Sequence, residues 1–387
     1  MTQRSVPATL FRGGTSKGVY FEREVLPDDG QGWDDLLLRL FGSPDPMQLD
    51  GIGGSHSTTS KTMIVSANDD PDRDVEYAFG QVGVEKPVVD WGGNCGNLTF
   101  AIGSFALERE IVTVETADID SGCDGDRRVE LALENTNTGT VVEQSIPVDS
   151  SGKPRYAGDF HVAGVPRPGA RIRSRFLAPG GSMTSGTFPT GNRVDVLDVP
   201  SVGELEASLV DISNPCVFVR ARDIGLTGSE RPEEIDDDPA VLERLETIRS
   251  AACARLGFVD DPDRATAESP GVPKMAVVGG RQRYETVAGE TVSADDYDLL
   301  ARIMSMQKAH HAYAVTGAMC TAAAAFLPGT IPNEFLADDA ADAVRLGHPK
   351  GTMRVGVDVN GDQVSCAIVD RTARRIMDGR LFDPKPY

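Results

Sequence analysis

Two short segments constrain the fold of this chain more than any other feature. Gly96 to Leu107 and Met319 to Leu327 are apolar nearly all round, and a helix without a polar face is normally buried. Each opens at a cysteine preceded by small or polar residues: Gly92-Gly93-Asn94-Cys95 in the first, Thr316-Gly317-Ala318-Met319-Cys320 in the second. They lie in opposite halves of the chain, among segments that read as strand. The expectation is a mixed α/β (α+β) fold of two similar lobes, each a strand-rich shell around a central helix. Outside these helices the halves do not align by residue.

The strands are read from runs of β-branched and apolar residues bounded by Gly, Pro, Asn or Asp. Val6 to Leu10, Val19 to Glu22, Thr62 to Val65, Val75 to Val82 and Ile111 to Thr116 fit, as do Val129 to Leu133, Arg171 to Leu177, Val194 to Val199, Val217 to Arg220 and Met275 to Val278. Asn360-Gly361 separates two alternating runs, a strong hairpin signal. Helices are expected over Trp33 to Phe41 and Ala240 to Leu256, and from a capping-box-like Ser293-Ala294-Asp295-Asp296 through Ile303. The length of 387 residues suits two domains better than one. Pro179 to Asn192, rich in Gly, Ser, Thr and Pro, is the expected connection. It divides an N-terminal lobe, residues 1–185, from a C-terminal lobe, residues 186–387. The acidic stretch Glu230 to Asp238 reads as a solvated loop.

No apolar run approaches the length of a bilayer span, and Met1-Thr2-Gln3-Arg4 lacks the apolar core of a signal peptide. A soluble cytoplasmic protein without a membrane partner is expected. The formal charge of −21 argues against nucleic acid, whose binders show a basic stripe. Aspartate-rich, lysine-poor composition suits a halophilic, high-salt cytosol, where counterions screen self-repulsion; an ordinary acidic cytosolic protein is the alternative. The six cysteines include no CxxC pair and no nearby histidine at ligand spacing, which argues against a disulfide framework and a structural zinc site. A homo-oligomer is compatible with the sequence.

Chemistry concentrates in a few places. In Asn94-Cys95-Gly96-Asn97 a cysteine stands at the first turn of a helix, where unpaired N–H groups favour a thiolate and bind carboxylates. Gly53-Gly54-Ser55-His56-Ser57-Thr58-Thr59-Ser60-Lys61 gathers glycines and hydroxyls beside a lone lysine. A lysine in a partly desolvated site can lose its proton near neutral pH and act as a base. Arg12-Gly13-Gly14-Thr15-Ser16-Lys17-Gly18 is a donor-rich turn between strands that could form an anion nest or an ordinary loop. His310 and His311 are adjacent and cannot both serve as ligands from one helix face, so no metal is expected. With no GxSxG elbow, HExxH, Rossmann fingerprint or EF-hand loop, side chains are expected to act without a cofactor.

These motifs resemble the PrpF family. The resemblance is carried by Arg12 to Phe21, Ser60-Lys61, Asn94 to Asn97, Pro189-Thr190-Gly191-Asn192, Asn214-Pro215, Thr316-Gly317 and His348 to Met353, in consistent order over nearly the whole chain. It implies a cofactor-independent isomerase related to diaminopimelate epimerase and proline racemase. The implied fold has two similar lobes, each a β-barrel-like shell around a central helix, with the active site in the cleft between them. Family activities include isomerisation of 2-methylaconitate, aconitate or methylitaconate and tautomerisation of 4-oxalomesaconate. 2-Methylaconitate would place the chain in propionate catabolism.

The resemblance carries the base role onto Lys61 and puts Cys95 where the first epimerase cysteine sits; Cys320 lies near the second. After Cys320, however, Thr-Ala-Ala-Ala departs from the epimerase Gly-Thr-Gly. The expected chemistry is a 1,3-proton shift on a small unsaturated polycarboxylate, begun by neutral Lys61 and completed by Lys61 or Cys95. Thr15, Ser16, Lys17, Ser60, Asn94, Gly96 and Asn97 are the expected substrate-binding residues, and the N–H groups of Gly317, Ala318 and Met319 would help stabilise the developing charge. Two rivals stand beside this: a two-cysteine amino-acid racemase or epimerase, and a non-enzymatic accessory protein of an iron–sulfur hydratase.

Overall fold

The structure, a computed structural model, describes residues 3–27, 32–113, 119–121, 127–200, 202–337, 340 and 342–386. The chain divides into two compact units, Met1–Arg175 with Asp370–Tyr387, and Phe176–Val369. The expected boundary at 185/186 is therefore corrected in two ways. The chain crosses at 175/176, and its last segment returns to the first unit. Pro179 to Asn192 is no linker but part of the second unit. The buried Asp211 carboxylate accepts from Ser182 Oγ, Met183 N, Thr184 N and Thr184 Oγ1, which fixes a segment whose own side chains offer little to bury.

In the first unit, β1 (Gln3–Gly13) turns into β2 (Ser16–Glu22). The amphipathic helix α1 (Trp33–Phe41) leads to β3 (Lys61–Ala67) and β4 (Val75–Val82). Next come two helical pieces, α2 (Gly96–Thr99) and α3 (Ile102–Glu108), and then β5 (Arg127–Asn135), β6 (Val141–Pro147) and the start of β7 (Ile172–Leu177). The two-residue period of strands sorts their side chains. Val19, Phe21 and Ile64 pack with Leu36, Leu37, Leu40 and Phe41 of α1 on one face. Tyr20 and Phe11 meet Phe105 of α3 on the other, with ring centroids 5.2–6.3 Å apart.

The predicted helix Gly96 to Leu107 is thus present and buried, but broken at Phe100–Ala101. The cause is Gln144 of β6. Its carboxamide accepts from Gly103 N (3.0 Å) and donates to Thr99 O (3.1 Å), standing in for the Thr99–Gly103 rung of the helical ladder. A side chain inserted into that ladder is a recognised origin of helix kinks.

In the second unit, β8 (Asp195–Val199), β9 (Gly203–Ile212) and β10 (Asn214–Arg220) precede the helix α4 (Pro239–Arg255). β11 (Lys274–Gly279), β12 (Leu299–Ser305), the central helix α5 (Val315–Phe326), β13 (Ala343–His348), β14 (Gly351–Asn360) and β15 (Gln363–Arg371) follow. The final strand, β16 (Ala373–Pro386), pairs with β1. The hairpin at Asn360-Gly361 is found as expected, closing on Asn360 and Gln363.

Three expectations differ from the structure. The helix predicted through Ile303 is a single 3-10 turn, Ala294–Asp296, followed by β12; the Ser293 capping box is real. Leu299 to Met304 are buried without interruption, so the run is a strand covered on both faces, which lacks the alternation that marks half-buried strands. The acidic stretch contains a helix, Pro232–Asp236, anchored by buried Ile235. Of the predicted strand Ile111 to Thr116, residues 114–116 lie outside the described residues and 111–113 form no strand.

The halves that do not align by residue do align by pairing. In the first unit β1–β2, β3–β4 and β5–β6 are antiparallel and β2–β3 and β4–β5 parallel. In the second unit β9–β10, β11–β12 and β13–β14 are antiparallel and β10–β11 and β12–β13 parallel. α1 and α4 occupy the same crossover, as do α2/α3 and α5. The closing pairs of the two hairpins, Gly13–Ser16 and Ile212–Asn214, set the correspondence between the copies. Lys274, in register with Cys216, matches Lys61. Ala314, which precedes α5, matches Cys95.

Candidate active site

The inner face of the first unit's sheet assembles the site. Lys61 opens β3 and shares its face with Met63 and Val65, all buried. Gln81 lies directly opposite on β4. The Lys61 ammonium hydrogens are received by Gln81 Oε1, and Nζ sits 5.1 Å from the centre of the Phe79 ring. Burial pushes the Lys61 pKa down; Cys95 and Asp90 pull it up less strongly. Burial disfavours the charged form of an amine, so this site favours neutral Lys61 more than water does.

Cys95 immediately precedes α2, and its thiol does not cap the helix. Sγ lies 4.0 Å from Ser16 Oγ, and both residues are buried. Thr99 N donates to Cys95 O, so the N–H groups of Gly96, Asn97 and Leu98 are the ones this first turn leaves outside the helical ladder. Asn97 Oδ1 accepts from Thr15 N at 3.1 Å. This close approach explains the two glycines of the turn. A Cβ on Gly13 would lie 2.4 Å from Asn97 O, and one on Gly14, whose φ is +48°, 2.0 Å from Asn97 Oδ1.

The remaining expected residues separate into groups. Thr15, Ser16 and Asn97 gather at the start of α2. Asn94 is turned inward, donating to Tyr77 Oη and accepting from Thr99 Oγ1. Ser60 is fully buried and its hydroxyl is engaged by Gln48 Oε1 at 2.5 Å, so it braces the loop before Lys61. Lys17 projects from the opposite face of β2 to Ser16 by strand alternation, with its N–H on Thr58 O.

Gly317, Ala318 and Met319 sit inside α5 of the second unit, which starts earlier than its apolar run suggests. Ala318 N already donates to Ala314 O, so the open N–H groups of α5 are those of Val315, Thr316 and Gly317. Cys320 lies within α5, fully buried, its thiol on Val210 O. Burial, with Cys216 beside it, pushes its pKa well up.

Sequence reasoning missed Gln81, Phe79 and Gln144. Gln81 was detectable, because it continues the Val75, Tyr77, Phe79 face of β4, a buried position for a polar side chain. Among the described residues no group of three or more His, Cys, Asp or Glu could hold a metal ion, and no helix is long and apolar enough to cross a membrane.

The family described as PrpF protein matches residues 3–384. The chain belongs to the PrpF family. It is 41% identical to the 2-methyl-aconitate isomerase of Shewanella oneidensis, over 99% of this chain and 98% of that one. It is 39% identical to the 3-methylitaconate isomerase of Eubacterium barkeri, again over 99% and 98%. A (4E)-oxalomesaconate Delta-isomerase of a Novosphingobium species is 35% identical over 98% and 97%. The crystal structure of a methylitaconate-delta-isomerase superposes with a TM-score of 0.80 at 39% identity, covering 99% of this chain and 96% of that one. A hydroxyproline epimerase of Agrobacterium vitis, at 12% identity and a TM-score of 0.58 over 99% and 94%, shares the fold. This PrpF-family chain is an isomerase with a mixed α/β, racemase-like fold.

Proposed function

We propose that the chain catalyses a 1,3-proton shift on a small unsaturated polycarboxylate, with Lys61 as the base. The observation that carries this reading is a buried lysine held by an amide, with no carboxylate bonded to it among the described residues, beside a buried thiol. Neutral Lys61 takes a proton from the carbon next to the double bond. The released electron pair delocalises through the double bond into a carboxylate, giving a dienolate. The N–H groups of Gly96, Asn97 and Leu98, with Ser16 and Thr15, would receive that charge. The Lys61 ammonium returns the proton to the far carbon of the allylic system, or the Cys95 thiol gives that carbon its own proton and the resulting thiolate is reprotonated from the Lys61 ammonium. No redox step or external group is needed, so the chemistry closes on the chain's own side chains.

2-Methylaconitate and 3-methylitaconate are the first substrates to try, since the relatives named for them are about 40% identical over their whole length. With 2-methylaconitate the enzyme would serve propionate catabolism in the cytoplasm. A high-salt interior would weaken the repulsion between a −21 chain and an anionic substrate.

The racemase alternative is disfavoured, because Ala314 stands at the position matching Cys95 and Cys320 is sealed beside Cys216. The test is incubation with 2-methylaconitate, 3-methylitaconate, cis- and trans-aconitate and 4-oxalomesaconate in heavy water, followed by NMR. Conversion with deuterium uptake, lost in Lys61→Ala, is the expected result. No conversion and no uptake with any of them overturns it, and copurification with a hydratase would then favour the accessory-protein reading.

A further inference from the structure

We propose that Gln81 is the positioning residue of Lys61: it holds the amine through a neutral acceptor and keeps it apart from Asp90. The inference rests on the reading of Lys61 as the base. Gln81 Nε2 donates to Ser60 O at 3.0 Å and to Val82 O at 3.3 Å. Turning the amide over would set its oxygen against two carbonyl oxygens, so the backbone dictates that the carbonyl end faces Lys61. Gln81 is also the middle member of a row across three strands. It pairs with Lys61 on one side and with Asp90, of the short strand Val89–Asp90, on the other. Strands lie about 4.8 Å apart, so Lys61 and Asp90 are held roughly two strand spacings from each other, with an uncharged amide between.

The titratable groups that face Lys61 are Cys95, at the start of α2, and Asp90. Neither is bonded to the amine among the described contacts. A carboxylate at position 81 would occupy the same volume in contact with Nζ, and the resulting ion pair would hold the proton on the lysine. An amide orients the amine without fixing its charge. It accepts one N–H and leaves the lone pair of the neutral form free for substrate.

The experiment uses the full chain, with 13C-labelled lysine and a pH series of kcat/KM on 2-methylaconitate. The chain contains eight lysines, and the Lys61 signal is the one missing from Lys61→Ala. In Gln81→Glu the Lys61 titration midpoint and the rising limb of the pH profile should both move up by about 1–3 pH units, as for an opposed charge in contact. Activity at pH 7 should fall at least tenfold and recover at higher pH. In Gln81→Met the midpoint should not rise, while kcat falls and the limb stays in place.

An unchanged midpoint in folded Gln81→Glu, or a raised midpoint in Gln81→Met, overturns the inference; Gln81→Met decides if Gln81→Glu does not fold. A Lys61→Ala variant that still turns over sinks the base reading instead, and leaves the NMR midpoints to judge Gln81 alone.

Discussion

Replacing Gln144 by Leu tests whether the break in the central helix is built or incidental. Gln144 is fully buried, and its carboxamide satisfies Gly103 N, Thr99 O and Ser174 Oγ at 3.0–3.1 Å. Leucine fills much of the volume and serves none of them. Two buried backbone groups without partners cost about 1–3 kcal/mol each, so a loss of about 2–6 kcal/mol is expected if the helix stays broken. The helix has one escape. Gly103 N can bond Thr99 O directly, which recovers most of that energy but straightens the break and shifts α2, with Cys95, Asn97 and the open N–H groups. Stability and activity therefore cannot both survive. Urea unfolding followed by tryptophan fluorescence suits the measurement, because the chain's two tryptophans, Trp33 and Trp91, lie 5.8 Å apart in the first unit. A variant within about 0.5 kcal/mol of the parent, with unchanged kcat and KM, would refute the argument.

Lys61→Met should change how stability depends on pH. The Lys61 pKa in the folded chain lies below its ordinary 10.5, so the unfolded chain binds a proton the native chain does not, and stability rises with pH between those two values. The variant loses that slope; its stability relative to the parent should fall between pH 7 and pH 10 in urea titrations, and parallel curves would contradict this. Cys320→Ala should leave kcat and KM in place and lower stability by about 1 kcal/mol, whereas a catalytic loss matching that of Cys95→Ala would restore the two-cysteine reading. Asp383→Asn breaks a two-point contact with Arg39 (2.8 and 2.9 Å) and should cost about 1–3 kcal/mol by the same fluorescence measurement; no loss would mean that this ion pair adds nothing to the hold on β16.

Most strands were legible because their apolar runs are bounded by turn residues, and the start of α2 because Cys95 sits among glycines and asparagines. What escaped depends on partners far along the chain. β12 is covered on both faces, so no alternation marks it. The duplication lives in strand pairing, which conserves register without conserving residues. Within the site, Lys61, Cys95, Thr15, Ser16 and Asn97 could be read locally. Gln81 shows locally only as a polar side chain on the buried face of β4; its role does not, since it comes from lying between Lys61 and Asp90 across three strands. Ala318 and Met319 read as carrying open N–H groups because the apolar run starts at Met319, while the helix begins at Val315.

The return of β16 to β1 has a consequence for biosynthesis. β1 finds its partner in residues 373–386, about 360 residues later. At 5–20 residues per second that is a wait on the order of 20–70 s on the ribosome. The unit Phe176–Val369 is contiguous and has been synthesised in full before the last strand of the first unit is made. The half that carries Lys61 and Cys95 therefore closes only after the whole of the other half has been made. Until then the unpaired edge of β1 is a place for chaperones, or for another nascent copy, to attach.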